Sequence, residues 1–225
     1  MTETHTTHTT HLRRTTGIAG VLAAALTFVE IPLYFVYSGP PPASNVLTRI
    51  LLNLFVCAGL LVFLTGFRQL LRRSAPPERA WAADLAHTAG IVYVVATLVS
   101  NSLEAGVVFG ANGTPVDPTI DGPLADGHTL LYGSIGRLLT ALFLAATGHV
   151  LARSALLPRW ATPSAYILAA VNLAFVPSLY FGTDPARFHS AIGWGTTAAV
   201  AGLLLYWICA VGIALLRPAG RAARS

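Results

Sequence analysis

The sequence has no lysine, one methionine, two cysteines, and charged side chains at only 10% of its 225 positions. A soluble domain carries charge at about a quarter of its residues, so this chain lacks the surface that would keep it in water. Cys57 and Cys209 both fall inside apolar runs, which excludes a disulfide framework. At 54% hydrophobic residues the chain is also too apolar to be disordered. It contains no Gly-rich phosphate loop, zinc-protease helix motif or serine nucleophile elbow. No cofactor and no metal is therefore expected.

What the sequence does have is apolar length. About 20 apolar residues cross the hydrocarbon core as a helix, and six such runs occur: Gly17 to Tyr37, Val46 to Phe67, Asp84 to Phe109, Thr129 to Leu151, Pro163 to Phe181 and Ala191 to Leu216. Lipid offers backbone groups no water, so continuous runs of this length must be helices. The expected fold is all-α, an integral membrane bundle of six transmembrane helices over 16–217. A Thr- and His-rich disordered tail over 1–15 precedes it, and a short basic tail over 218–225 follows. The first run follows Arg13 and Arg14 as a secretory signal would. It is too long for one, no small-x-small cleavage site leads into polar sequence, and five more runs come after it.

Arginine placement sets the orientation, because short loops rich in arginine stay cytoplasmic. Arg13, Arg14, Arg68, Arg72, Arg73, Arg79, Arg153, Arg159, Arg217, Arg221 and Arg224 fall on one side of the runs, against Arg187 on the other. Both termini are therefore expected in the cytoplasm. Trp81 and Trp160 fall at the arginine-rich edges and Trp194 at the opposite one, the depths amphipathic rings prefer; Trp207 lies deeper. The net charge of +5 and pI near 9.7 thus report topology rather than nucleic-acid binding. The Arg68 to Arg79 segment is placed to meet anionic lipid headgroups.

Two stretches invite a metal reading. His5, His8 and His11 recur every third residue, but no cysteine accompanies them and threonine is a poor helix former. Asp117, Asp121, Asp126 and His128 crowd one loop without the alternating spacing of a calcium loop. A solvated tail and a solvated loop are the expectations.

Chemistry is concentrated where ionisable groups enter the membrane, at about 2.5 to 3.5 kcal/mol each. These are Glu30, Arg49, Glu104 and Arg137, with Asp84, His87 and His149 near the arginine-rich edge, where solvation at the helix ends is expected rather than an Asp84–His87 pair. At 1.5 Å per residue from the outer ends, Arg49 lies about 5 Å deep, Glu104 about 8 Å, Glu30 about 10 Å, Arg137 about 12 Å and Asn172 about 14 Å. Helical phase aligns Thr27, Glu30, Tyr34 and Tyr37 in the first run and Arg49, Asn53 and Cys57 in the second. It also aligns Thr97, Asn101 and Glu104 in the third, and Gly133, Gly136, Arg137 and Thr140 in the fourth. The polar cluster is therefore Glu30, Arg49, Asn53, Asn101, Glu104, Arg137 and Asn172. Loop lengths pair Glu104 with Arg137 first and Glu30 with Arg49 second. His128, Tyr132 and His189 stand at the outer edge as the rim of a pocket. Pro32 and Pro177 are placed to bend the first and fifth helices.

Three roles fit such a cluster: an internal fastener of helix order, a pocket for a small hydrophobic or amphipathic molecule, and a catalytic site with Glu30 or Glu104 as general acid on a lipid-soluble substrate, for example an isoprenoid cyclase. Secondary transport is weaker, because Pro32 has no counterpart in the fourth run. GIAG and GSIG mark close helix contacts within or between subunits, which leaves oligomeric state open.

The stretches RRTTGIAGVLAAAL, RILLNLFVCAGLLVFLTGF and HTLLYGSIGRLLTALFLAATGHVLARSALLPRWATPSAYIL resemble a bacterial multi-pass membrane family defined only as a domain of unknown function, the 4386 type. In that family an Arg and a Gly open the first helix, a His precedes the fourth and an LPR element leads into the fifth. Here these are Arg14 and Gly17, His128, and Leu157 to Arg159. The resemblance covers nearly the whole chain. It implies a six-helix protein of the bacterial plasma membrane with membrane lipids as partners, and it supplies no activity and no catalytic residue.

The orientation is tested by labelling. In a variant free of Cys57 and Cys209, Asn112→Cys is expected to react with a membrane-impermeant maleimide in intact cells, and Ala75→Cys only after lysis. The reverse pattern turns the topology over.

Overall fold

A chain in hydrocarbon has to close its backbone hydrogen bonds on itself. The computed structural model, which describes residues 2–217, does this with helices alone; no strand occurs among the described residues. The helices are α1 (Thr2–Glu30), α2 (Ala43–Ser74), α3 (Ala80–Gly110), α4 (Pro123–Leu130), α5 (Gly136–Leu151), α6 (Ala161–Phe175) and α7 (Val200–Leu216). A 3₁₀ turn, Ile31–Tyr34, extends α1, and another, Val176–Phe181, extends α6. A π-turn over Leu131–Ile135 joins α4 to α5, and a second, Gly195–Ala199, opens α7.

Six segments are long and apolar enough to cross a membrane: Thr9–Tyr34, Ala43–Ser74, Pro77–Gly110, Leu124–Leu151, Ala161–Phe181 and Gly195–Leu216. The protein is an all-helical polytopic membrane protein, its exposed faces covered by large apolar side chains such as Leu22, Phe55, Val95, Ile167 and Tyr206. In water such faces would be a liability; in lipid they are the solvent-matched surface.

Helix ends differ from the sequence expectation in ways that have local causes. The 1–15 segment, expected as a disordered tail, is helical from Thr2 and continuous with the first span. Once a helix is nucleated, each added residue gains a backbone bond at low cost, even for threonine. The side chains of His5 and His8 and the 218–225 tail lie outside the described residues. Spans two and three run further at the arginine-rich end than their apolar runs do, because Asp84 of α3 pairs with Arg68 and Arg72 of α2 at 2.8 and 3.5 Å. Asp84 is thus engaged by two arginines rather than only solvated at the helix end. Pro76 then ends α2 at Ser74, and a 3₁₀ turn, Pro77–Arg79, leads into α3. The bends expected at Pro32 and Pro177 appear as the two 3₁₀ turns.

The helices pack in sequence order. α1 lies on α2, α2 on α3, α3 on α5 and α5 on α6, and α7 closes back on α1. α6 touches α7 only lightly, and the fifth span is the least enclosed of the six. Small residues set the α1–α7 spacing: a Cβ on Gly17 would stand 2.8 Å from the Gly212 carbonyl oxygen, and one on Gly212 would stand 2.8 Å from that of Gly17. This seam places the start of the first span beside the end of the last.

Two layers fill the interior. Toward the arginine-rich end lies an apolar layer in which Phe63 stacks on Phe67, and Trp207 meets Phe67 and Phe143 edge-on. Trp207, the tryptophan away from the interfaces, donates its indole N–H to the Ser164 hydroxyl at 3.0 Å. A cavity of about 10 Å³ between Tyr93, Thr140, Phe143 and Ile208, no larger than one water, remains in this layer. Toward the end bearing the 111–122 loop lies the polar layer.

Gly212→Leu is expected to destabilise the detergent-solubilised protein by about 1 to 3 kcal/mol through overpacking. Gly106→Ala, inside α3 at a position with open space around it, is expected to leave the thermal midpoint unchanged or raise it slightly.

Candidate functional site

Helical phase in spans one to three delivers Glu30, Asn53 and Asn101 to one point. The Asn53 amide donates to both Glu30 carboxylate oxygens, at 3.2 and 3.1 Å, and its carbonyl oxygen accepts from the Asn101 amide at 2.9 Å. One side chain on α2 therefore ties α1 to α3. The Cys57 thiol, one turn along α2, donates to the same Asn53 oxygen at 3.6 Å. Thr27 and Thr97 bond back to carbonyls of their own helices and place no further demand on the cluster.

Arg49, one turn from Asn53, forms an ion pair with Glu104 at 3.1 Å, with side-chain exposures of 3% and 2%. Its guanidinium lies over the Tyr34 ring, 4.0 Å from the centroid, a cation–π contact made possible by the turn that follows Glu30. The Tyr34 hydroxyl points back to Glu30 at 3.5 Å. The pairing expected from loop length is thus exchanged. Glu104 meets Arg49 rather than Arg137, and Glu30 meets Asn53 and Tyr34 rather than Arg49. The reason is packing order: α2 sits between α1 and α3, so residues one turn apart on its inward face reach both neighbours before α5 can.

Arg137 is fully buried, at 0% exposure, and belongs to a separate group in spans four and five. Its Nη1 donates to the Asn172 carbonyl oxygen at 3.3 Å, its Nη2 to the Tyr132 carbonyl at 3.3 Å and its Nε to the Gly133 carbonyl at 3.4 Å. Tyr93 of α3 stands beside the guanidinium, and Tyr132 is near both it and Glu30. Among the described residues no carboxylate lies within ion-pair distance of Arg137.

The backbone around this arginine is broken. Gly133 has φ −80° and ψ −112° inside the Leu131–Ile135 π-turn, so α4 and α5 meet at a kink. A Cβ at Gly133 would stand 2.8 Å from the Ala191 carbonyl oxygen, which explains the glycine. The kink packs against the 3₁₀ turn of span five and the π-turn of span six. The Ser134 and Ser178 hydroxyls, both buried, bond across it at 2.9 Å. Three non-α turns from three spans thus converge at one depth, an arrangement tolerated in a membrane only where it is enclosed by protein or lines a cavity.

The expected rim residues do not form one set. His128 is buried, with Nδ1 at 2.7 Å from the Ser100 hydroxyl, which itself donates to the His128 carbonyl at 2.9 Å. Tyr132 reaches Arg137 through its carbonyl. His189 stands apart in an aromatic group, 4.6 Å from Phe175 and 5.1 Å from Phe181 between ring centroids. Asp117 and Asp121 are used within their own loop, where their carboxylates accept from the Thr119 and Asp117 backbone N–H groups. Ser100, Ser134, Ser178 and Tyr93 were not marked by the sequence. Small polar residues in membrane helices bond to their own carbonyls as readily as to neighbours, so their type carries no signal.

Asn53→Ala leaves a buried carboxylate and a buried amide without their shared partner. It is expected to cost about 2 to 4 kcal/mol in detergent unfolding, whereas Cys57→Ala costs under about 1 kcal/mol because only a weak donor is lost.

Comparison of the chain with models of protein families, with characterised proteins and with solved structures finds no match.

Proposed function

We propose that this is a non-enzymatic protein of a bacterial plasma membrane, both termini in the cytoplasm, in which the buried Glu/Arg/Asn side chains fix the order of the helices and line a site for a small amphipathic molecule or lipid. Membership of the family the sequence resembles is part of the same proposal. Six apolar spans in contact with lipid are its foundation. The observation that carries it is the Arg49–Glu104 pair beside the Asn53 bridge, which joins spans one, two and three through an ion pair and shared amide bonds.

Fastening uses both acids where they stand. A general acid has to reach a substrate proton acceptor; Glu104 is committed to Arg49, and Glu30 would first have to give up Asn53. A cyclase-like enzyme would therefore need the helix-joining bonds to open in each cycle. Transport by exchange of inverted halves is not favoured either, since the breaks fall at Pro32 in the first half but at Gly133, Pro177 and Gly195 in the second.

A double-mutant cycle tests the fastener. Arg49→Gln and Glu104→Gln each leave a buried charge unpaired and are expected to cost about 3 kcal/mol. The double variant costs no more than the worse single one. Two singles that unfold like the parent would contradict the reading.

A further inference from the structure

Among the described residues, Arg137 is the buried arginine of the spans that meets no carboxylate; its partners, the Tyr93 side chain included, are neutral. A guanidinium in low dielectric is expensive unless an anion or a full set of acceptors meets it. Its three described bonds, at 3.3 to 3.4 Å, lie at the long end of the hydrogen-bond range, and all go to neutral oxygens. Charge-assisted bonds to an anion are typically several tenths of an ångström shorter. The two acids of the bundle interior are engaged with Arg49, Asn53 and Tyr34 on spans one to three, so neither is free to turn to it.

One wall around this arginine is lightly held on its far side, although α6 packs fully against α5. One of its acceptors, Asn172, sits on the fifth span, the least enclosed of the six and only lightly in touch with the sixth. The other two are carbonyls of the kinked segment at Gly133. A small outward swing of α6 would remove the Asn172 oxygen and present Nη1 and Nη2 side by side toward the lipid between spans four and five. Ile135 and Leu138 on the fourth span and Leu173 and Leu179 on the fifth are exposed and apolar. Breaks of this kind, beside a charged side chain, are where membrane proteins bind polar ligand groups.

We propose that Arg137 is the receptor for the carboxylate of a single-chain amphiphile, which enters from the lipid between spans four and five, replaces the Asn172 oxygen and lays its chain along the apolar approach. This rests on the amphiphile site proposed above and names the ligand class. A planar two-oxygen head matches the guanidinium fork in two parallel bonds. It also suits the space, since the group displaced is a single planar amide; a tetrahedral phosphate is bulkier and is the natural competitor to test. No covalent step is involved.

The test uses the full chain, purified in a nonionic detergent, with hexadecanoate, hexadecanol and hexadecyl phosphate as probes of equal chain length. Thermal midpoint against probe concentration gives apparent affinity. Hexadecanoate is expected to stabilise the protein saturably and the other two to do so at least about tenfold more weakly. Arg137→Gln should lose the preference for hexadecanoate. Asn172→Ala, which removes the competing acceptor, should bind hexadecanoate more tightly than the parent. The second variant keeps the proposal open to refutation if the first fails to fold, because a purely structural Arg137–Asn172 bond predicts a lower midpoint with no gain in affinity. Equal response to hexadecanol overturns the carboxylate receptor while leaving an amphiphile site standing. Preference for the phosphate overturns the head group assigned here. No response to any probe overturns both the receptor and the site.

Discussion

A charged side chain in hydrocarbon has no water to return to, so where its counter-charge sits decides which helices are neighbours. In this protein the Arg49–Glu104 pair exerts that constraint. Arg49 is held at 3.1 Å from Glu104 and over the Tyr34 ring, and the Asn53 amide one turn along binds Glu30 and Asn101. Reversing spans one and three about span two would strand both carboxylates. Lipid supplies no hydrophobic drive to bring helices together, so specific polar contacts at the 111–122 loop end and close glycine contacts at the arginine-rich end divide the work of assembly. The Gly17–Gly212 approach and the stack of Phe63, Phe67 and Trp207 belong to the second kind.

The two halves of the chain use the membrane differently. Spans two and three are unbroken helices pinned by ionic and amide bonds. Spans four, five and six each change helix type at the level of Gly133, Pro177 and Gly195, and around these breaks the polar contacts are Ser134 to Ser178 and Arg137 to neutral oxygens. The first half is charge-paired, while the second is kinked and contains, in span five, the least enclosed helix of the bundle.

Span number was legible because lipid imposes length and apolarity directly on sequence, and the outward-facing residues carry no other demand. The membership of the polar layer was visible through helical phase, which put Glu30, Asn53, Asn101 and Glu104 on inward stripes. The partners were not. Loop length suggested that residues joined by one turn would meet, yet the side chain in the middle helix reached both neighbours first, which sends Glu104 to Arg49 and leaves Arg137 to Asn172. The kink at Gly133 was also hidden: within GSIG a glycine reads as a close-packing residue, and nothing local distinguishes one that packs from one that leaves helical geometry under the Ala191 carbonyl. The helical start at Thr2 was missed because propensity describes isolated segments, while this one is continuous with a long membrane helix.

The central claim is that Arg49 and Glu104 are in contact inside the bundle when it stands in a bilayer. Solid-state NMR dipolar recoupling between the labelled Arg49 guanidinium nitrogens and the Glu104 carboxyl carbon, in lipid, reads that contact directly. With N to O at 3.1 Å, the nitrogen-to-carbon distance should fall at about 4 Å, with strong dephasing that disappears in Glu104→Gln. Dephasing too weak for any distance under about 6 Å would place the two charges apart, and the account of how these helices are ordered would fail.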